Sequence, residues 1–475
     1  MRSQAATFRP RPSSDVIRAL AASWMLAIPA CTSHAASAID GGTLVVDGRR
    51  RFVLGLYETP ADSAEAARLA ECGFNLARAG TRADLDRLAA AGLGGWITLP
   101  LDVADERAAE ELRASVNILR DHPALWIWEA PDELLWNASY GRFQDRDRSW
   151  AEIQQAVAAR PEGDERGRFE ELGRRARRLQ ATGRYREAEP LYHELVSALN
   201  LAPSPSLAEC PAAADAALAR ARQGCAVMRA ADSQHPIWFN HAPRNEMADL
   251  RAFGALADAV GCDIYPVPLH PQVGHSDLAD RTLSCVGAYT RRMDASAPGK
   301  AVWMVLQGFG WKDLGHGDDA MRRPTQAELR FMVRDAIVHG ADGILFWGTH
   351  YIERDSMLRA DVEIVVGELA RWEPFLASPH PTAVAVHSDR NANSDEAGVI
   401  ARAWASEGDV LVLVVNENAG AVAFDVSGLD RFNSRALRAV NSGEDDAISI
   451  AEGRFRFGLG GSSSALLTTV NPTAS

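Results

Sequence analysis

Carboxylates, amides and aromatic rings in this chain gather at the ends of short apolar runs. Tyr57-Glu58 closes one run, Asn75 and Arg78 lie in a second, Trp96 in a third, and a fourth ends Trp128-Glu129-Ala130-Pro131-Asp132-Glu133. Later runs end in Phe239-Asn240-His241, Asp263-Ile264-Tyr265-Pro266, Leu306-Gln307-Gly308-Phe309 and Phe346-Trp347-Gly348-Thr349-His350. Two carboxyls in one cleft can act as proton donor and base when their surroundings push their pKa values apart. Glu133 is one candidate for such a pair, its pKa raised by an apolar setting or by Asp132 beside it. Asp263 and Glu58 are candidates for the second carboxyl, against the plainer roles of loop acceptor for Asp263 and partner to Arg78 for Glu58. Aromatic faces stack on sugar C–H surfaces, while carboxylates and amides bind hydroxyls. Arg78, Trp96, Glu129, Asp132, Asn240, His241, Tyr265, Gln307, Trp347 and His350 are therefore the candidate substrate-binding set, and a carbohydrate is the expected partner. Trp126, Trp128 and Trp303 are read as packing; Trp347 and Trp96 are nearer the expected rim.

Placing those groups in one cleft requires an element that brings many strand ends together. Short apolar runs alternate with amphipathic helical stretches, the pattern of a parallel sheet with crossover helices. Eight such runs are present: 52–58, 74–80, 95–101, 125–133, 236–243, 259–267, 301–309 and 343–350. Eight units suit a closed (β/α)8 TIM barrel, in which chemistry sits at the carboxyl ends of the strands. No G-x-G-x-x-G follows the first run, which disfavours a dinucleotide fold. The barrel is expected over 39–378, opened by the hairpin-like Gly42 to Glu58 with its Asp47-Gly48 turn. A helical insert is expected after strand four, over 138–225. Its segment Gly183 to Leu195 looks like half of a tetratricopeptide hairpin, and it either caps the cleft or binds a partner. From Pro379 short alternating runs predict an antiparallel β-sandwich over 379–475.

The run HPALWIWEAPDEL resembles the fourth strand of the superfamily of retaining (β/α)8 glycoside hydrolases, which ends roughly W-E-x-x-N-E-P. GGTLVVDGRRRFVLGLYE, GFNLARAG, DIYP and RRPTQAELRFMVRDAIVHGADGILFWG are similar to its first, second and sixth strands and to the approach to its eighth. The likeness covers most of 40–375. It implies a glycosidase with Glu133 as acid/base, Asp132 standing for the usual Asn and Leu134 for the usual Pro. The superfamily's nucleophile is a glutamate ending strand seven, where this chain has Gln307. An amide cannot attack an anomeric carbon, so three readings stay open: Glu58, Asp263 or Glu129 serves as base on a water, the substrate supplies its own nucleophile, or the protein binds sugar without cleaving it.

Composition narrows the partners. The chain has 475 residues, 47% hydrophobic and 24% charged, with net charge −13. A strongly acidic chain lacks the basic surface that nucleic acid requires. Arg2, Arg9, Arg11 and Arg18 precede the apolar run Ala19 to Ala30, a pattern of export over 1–38 with a periplasmic or cell-surface destination. Ala27 to Cys31 looks like a lipoprotein site, with Cys31 as the membrane-anchored residue. Five cysteines remain, of which Cys210 and Cys225 are a possible disulfide in an oxidising compartment. No Cys/His spacing resembles a zinc site, His241, Asp263 and His350 do not form a ligand pattern, and no cofactor is expected.

Overall fold

The computed structural model describes residues 37–138, 140–181, 184–269, 282–317, 319–388, 398–440 and 447–470. Cys31 and nearly all of the expected export signal lie outside them. Eight parallel strands close into a barrel in chain order, as expected. They are strand one Val53–Leu56, strand two Leu76–Arg78, strand three Gly94–Thr98 and strand four Leu125–Glu129. Strand five is Ile237–His241, strand six Ala259–Ile264, strand seven Ala301–Gln307 and strand eight Gly343–Trp347. Each of the eight apolar runs contains one strand, because parallel barrel strands are buried on both faces and read as continuous hydrophobic segments.

Alternation decides which side chains enter the barrel. Val53, Leu76, Trp96, Trp126, Ile127, Trp238, Ala259, Trp303, Val305 and Leu345 form one buried cluster, which Tyr57 joins. Their neighbours Leu54, Leu56, Phe239, Cys262 and Phe346 belong instead to the layer shared with the helices. The indole-rich interior leaves no room where backbones meet it. A Cβ on Gly261 would collide with the Trp303 carbonyl, and one on Gly94 with the Trp126 ring. The antiparallel strands Ser37–Asp40, Thr43–Val46 and Arg49–Arg51 precede the barrel, and Leu44 and Val46 join its inner cluster.

Among the described residues one long helix follows each of strands one to three and five to eight, from Ser63–Glu71 to Met357–Ala370. After strand four come Tyr140–Ala158, Asp164–Ala181 and Tyr185–Ala198, which bury their own cluster of Trp150, Ile153, Phe169, Tyr192 and Leu195. Arg146 is fully buried within it, ion-paired to Glu189 at 2.7 Å and 3.6 Å above the Tyr192 ring. The next helix, Cys210–Ala231, returns to the barrel: Ala214, Ala217, Ala221, Cys225 and Met228 pack in the same core as Leu112 and Val116. Cys210 and Cys225 lie about four turns, roughly 22 Å, apart along that helix. A disulfide cannot span that distance, so the Cys210–Cys225 pairing weighed from the sequence is corrected by helix geometry.

The carboxyl-terminal region forms two antiparallel sheets. One contains Ala385–His387, Val422–Ser427 and Arg454–Leu459. The other contains Val399–Ser406, Asp409–Asn416, Ser463–Thr468, Ala436–Ala439 and Ile448–Ser449. Val410, Val412 and Val414 face the sandwich core, whereas Leu411, Leu413 and Val415 join the barrel's helix layer. That double burial explains the unbroken apolar run in Asp409–Asn416, and it joins the sandwich to the barrel through one continuous core. Among the described residues no helix is long and apolar enough to cross a membrane.

Candidate active site at the barrel mouth

Strand four ends at Glu129, and the chain then turns through Pro131, Asp132 and Glu133. Glu133 adopts a left-handed backbone, φ 48° and ψ 36°, which costs an ordinary L-residue of order 1–3 kcal/mol. Its N–H donates to the Asn240 carbonyl at 3.2 Å, fixing the turn to strand five. Because the chain leaves extended geometry here, Asp132 and Glu133 are both brought to the cleft instead of pointing to opposite sides.

Three carboxyls converge at this point. Glu133 is half-buried and in hydrogen-bond contact with Asp263 from strand six, and Asp132 lies beside both. Asn240 from strand five bridges the group, its Nδ2 donating to Asp132 at 2.9 Å and, more weakly, to Asp263 at 3.4 Å. Its Oδ1 is buried and unpartnered. The Tyr57 hydroxyl, whose shorter bond goes to Glu129, also lies 3.3 Å from an Asp132 carboxyl oxygen. Desolvation raises the Glu133 pKa to about 7, helped by the Asp132 charge and opposed by the Asp263 hydrogen bond and by Arg244. Burial raises Asp263 well above the usual carboxylate range, and the Glu133 and Asp132 charges push it further. Asp132 is raised too, by desolvation offset by Asn240 and Arg78. Protein surrounds its carboxyl in the cleft, yet the residue keeps a face open to solvent.

Aromatic groups line the side contributed by strands six and eight. Tyr265 and half-buried Trp347 stack at 5.4 Å with planes 19° apart, and Phe309 meets both rings edge-on. His350 is exposed and tilts against Tyr351, their centroids 4.0 Å apart. Arg78 is exposed near Asp132, its guanidinium 6.0 Å from the Tyr57 ring. Arg244 stands 5.7 Å from the Trp136 ring, which itself stacks on Phe143 of the inserted helix Tyr140–Ala158 at 4.3 Å. The insert thus reaches the strand-four side of the mouth.

Five expectations are corrected. Glu58 points away from the barrel interior because the inward residue of strand one is its neighbour Tyr57; Glu58 pairs with Arg359 at 3.1 Å and accepts from Thr349 at 2.6 Å. His241 likewise faces outward, fully buried between Phe239 and Phe253, and burial lowers its pKa to about 4. Trp96 points inward but one layer too deep, fully buried against Tyr57 and Trp238. Glu129 is beneath the rim with no exposure; it accepts from Tyr57, Thr98 and, at 3.2 Å, the Trp96 indole, and burial raises its pKa well above normal. Gln307 points inward at the expected level but is fully buried and committed to backbone. Its Oε1 accepts from Val267 N–H at 2.9 Å, and its Nε2 donates to Val267 O and Phe309 O at 2.6 and 3.0 Å. Tyr57 and Arg244 were missed. Strand alternation identifies Tyr57 once Val53 is taken as inward, whereas Arg244 lies in a loop with no local signal.

No family model matches the chain, and no curated protein matches its sequence. Solved structures do match. A protein described as a glycoside hydrolase superposes with TM-score 0.53 at 12% identity, covering 93% of this chain and 98% of its own. A GH42 beta-galactosidase superposes with TM-score 0.50 at 10% identity, covering 88% and 98%. The fold is that of a glycoside-hydrolase-like (β/α)8 barrel. Against a beta-galactosidase from the psychrophilic Marinomonas ef1 the TM-score is 0.41 at 14% identity, and this chain spans 59% of that one's length.

Proposed function

We propose that the protein is an exported glycoside hydrolase that cleaves a polysaccharide or oligosaccharide with Glu133 as general acid and Asp263 as the partner carboxyl. The observation that carries this reading is the contact between these two acids across the mouth, with the Glu133 pKa raised to about 7. A carboxyl that is still protonated near neutrality can give its proton to a glycosidic oxygen. Asn240 orients the neighbouring acids, Arg78 offers donors to hydroxyls, and Trp347 offers a ring face. The arginine-rich amino terminus ahead of Ala19 to Ala30 supports export, and the Ala27 to Cys31 stretch supports a lipid anchor.

Retention needs the two carboxyls about 5–5.5 Å apart and inversion roughly 6.5–9.5 Å. A pair in hydrogen-bond contact is closer than either. The reaction therefore begins with substrate displacing the Glu133 side chain from Asp263. The pair shares one proton at rest, held on Asp263 by burial and by the Glu133 charge; as substrate and water enter, that proton passes to Glu133, which protonates the leaving oxygen while the ionised Asp263 takes a proton from the attacking water. The glycosidic C–O bond breaks as the water C–O bond forms, which inverts the anomeric centre. The test is release of reducing ends from a panel of polysaccharides, with the product anomer followed by NMR. Release of inverted product that disappears in Glu133→Gln, with saccharide binding retained, supports the reading. A second reading, sugar binding without cleavage, is favoured by the commitment of Gln307 to backbone. Saccharide binding by the wild-type protein with no release from any substrate selects it.

A further inference from the structure

A second set of side chains converges far from the mouth chemistry in sequence, at the seam between the helix Gln326–Val338 and the sandwich strand Asp409–Asn416. Asp335 is fully buried on the helix, His339 caps it one turn later, and Glu417 follows the strand. One ligand-type atom from each lies within 4.8 Å of the other two. His339 Nε2 is 2.9 Å from Glu417 Oε1 and 3.7 Å from Asp335 Oδ1. A main-chain amide occupies the other oxygen of each carboxylate: Gly287 N–H donates to Asp335 Oδ2 at 2.7 Å, and Gly398 N–H to Glu417 Oε2 at 3.1 Å. That leaves Asp335 Oδ1 directed at the common point, buried and, among the described residues, with no N–H donor on it; its hydrogen-bond neighbour is the Glu417 carboxyl of the same cluster, a contact that requires a shared proton. A dehydrated carboxylate oxygen with no donor is costly, and a cation removes the cost.

We propose that Asp335, His339 and Glu417 bind a divalent cation of the zinc class that ties the barrel to the β-sandwich. One imidazole and two monodentate carboxylates suit borderline metals such as zinc, iron or manganese. Bonds of about 2.0–2.2 Å in a tetrahedral site set ligand atoms roughly 3.3 Å apart. The observed 2.9 and 3.7 Å from His339 lie on either side of that value, and the two carboxylate oxygens lie within 4.8 Å of each other, so side-chain shifts without backbone rearrangement would close the site. The ligands come from two regions of the fold, so binding would stabilise their junction, and the inference does not depend on the chemistry proposed for the mouth. The competing arrangement is metal-free. In it the carboxyls share a proton, and Arg291, whose Nη1 is 2.7 and 3.0 Å from the two His339 ring nitrogens, supplies the positive charge.

The test is calorimetric titration of the chelator-stripped full chain with Zn²⁺, with thermal unfolding recorded in parallel. One saturable site per chain and a raised Tm are expected. Asp335→Asn and Glu417→Gln should weaken binding by at least about tenfold, while Glu133→Gln binds as the wild type does. His339→Gln, at the helix terminus, serves if either carboxylate variant fails to fold. Absence of saturable binding below millimolar zinc, or wild-type binding in all the seam variants, overturns the proposal in favour of the shared proton.

Discussion

The barrel mouth and the barrel–sandwich seam each bring carboxyls from distant parts of the chain into contact, but they hold them differently. At the seam every carboxylate has one oxygen fixed by a backbone N–H, and burial is nearly complete. At the mouth Glu133 is half-buried on a left-handed turn, and Asn240 supplies only a 2.9 Å and a 3.4 Å bond to its neighbours. Backbone fixation suits a group that must stay in place. Partial exposure and a long side chain suit one that must accept a substrate and move a proton. On the proposed function, the same residue chemistry serves cohesion in one place and reactivity in the other, according to its packing.

The comparison breaks most visibly at Glu133. Glu133→Gln should lower the rate of reducing-end release by about 10²–10⁴-fold with little loss of Tm; an unfolded variant, or undiminished release, would contradict the division of roles. Glu129 tests how far down the barrel cohesion takes over. Glu129→Ala leaves the Tyr57, Thr98 and Trp96 donors without their acceptor and should cost about 3 kcal/mol in urea unfolding. At the seam, Glu417→Ala should cost about 1–3 kcal/mol of stability and leave release unchanged; a large loss of turnover would couple the two regions.

A smaller effect is read by pH. The folded Glu133 pKa is raised from 4.5 to about 7, so between these values the native state holds more protons than the unfolded chain. The group's contribution to stability therefore falls as pH rises from 4.5 to 7 and is absent above. Turnover that needs its proton should decline through the same upper value. Glu133→Gln removes this group's share of the slope in Tm against pH; an unchanged slope would reject the assignment. The smallest effect expected is at exposed Arg78, where Arg78→Ala should raise KM roughly two- to fivefold with kcat unchanged.

The eight strands, the helical insert and the sandwich strands were legible because burial imposes a pattern: continuous apolar runs inside a parallel barrel and alternating runs in the sandwich. The position of Glu133, Asp263, Asn240 and Trp347 at the barrel mouth was legible because strand ends converge wherever a barrel closes. Residues at the same strand ends were misread where only one neighbour of a pair can point inward, as with Tyr57 in place of Glu58 and Asn240 in place of His241. Depth misled in the same way, since Trp96 and Glu129 face inward but lie beneath the rim.

The amino-acid sequence by itself determined the order and kind of the elements, because hydrophobic periodicity is a local property that survives without knowledge of neighbours. Tertiary structure alone decided the contact of Glu133 with Asp263, the backbone commitment of Gln307 and the meeting of Asp335 and His339 with Glu417. Each depends on strand phase, layer depth or docking between segments far apart in the chain, and those quantities are fixed by packing in three dimensions.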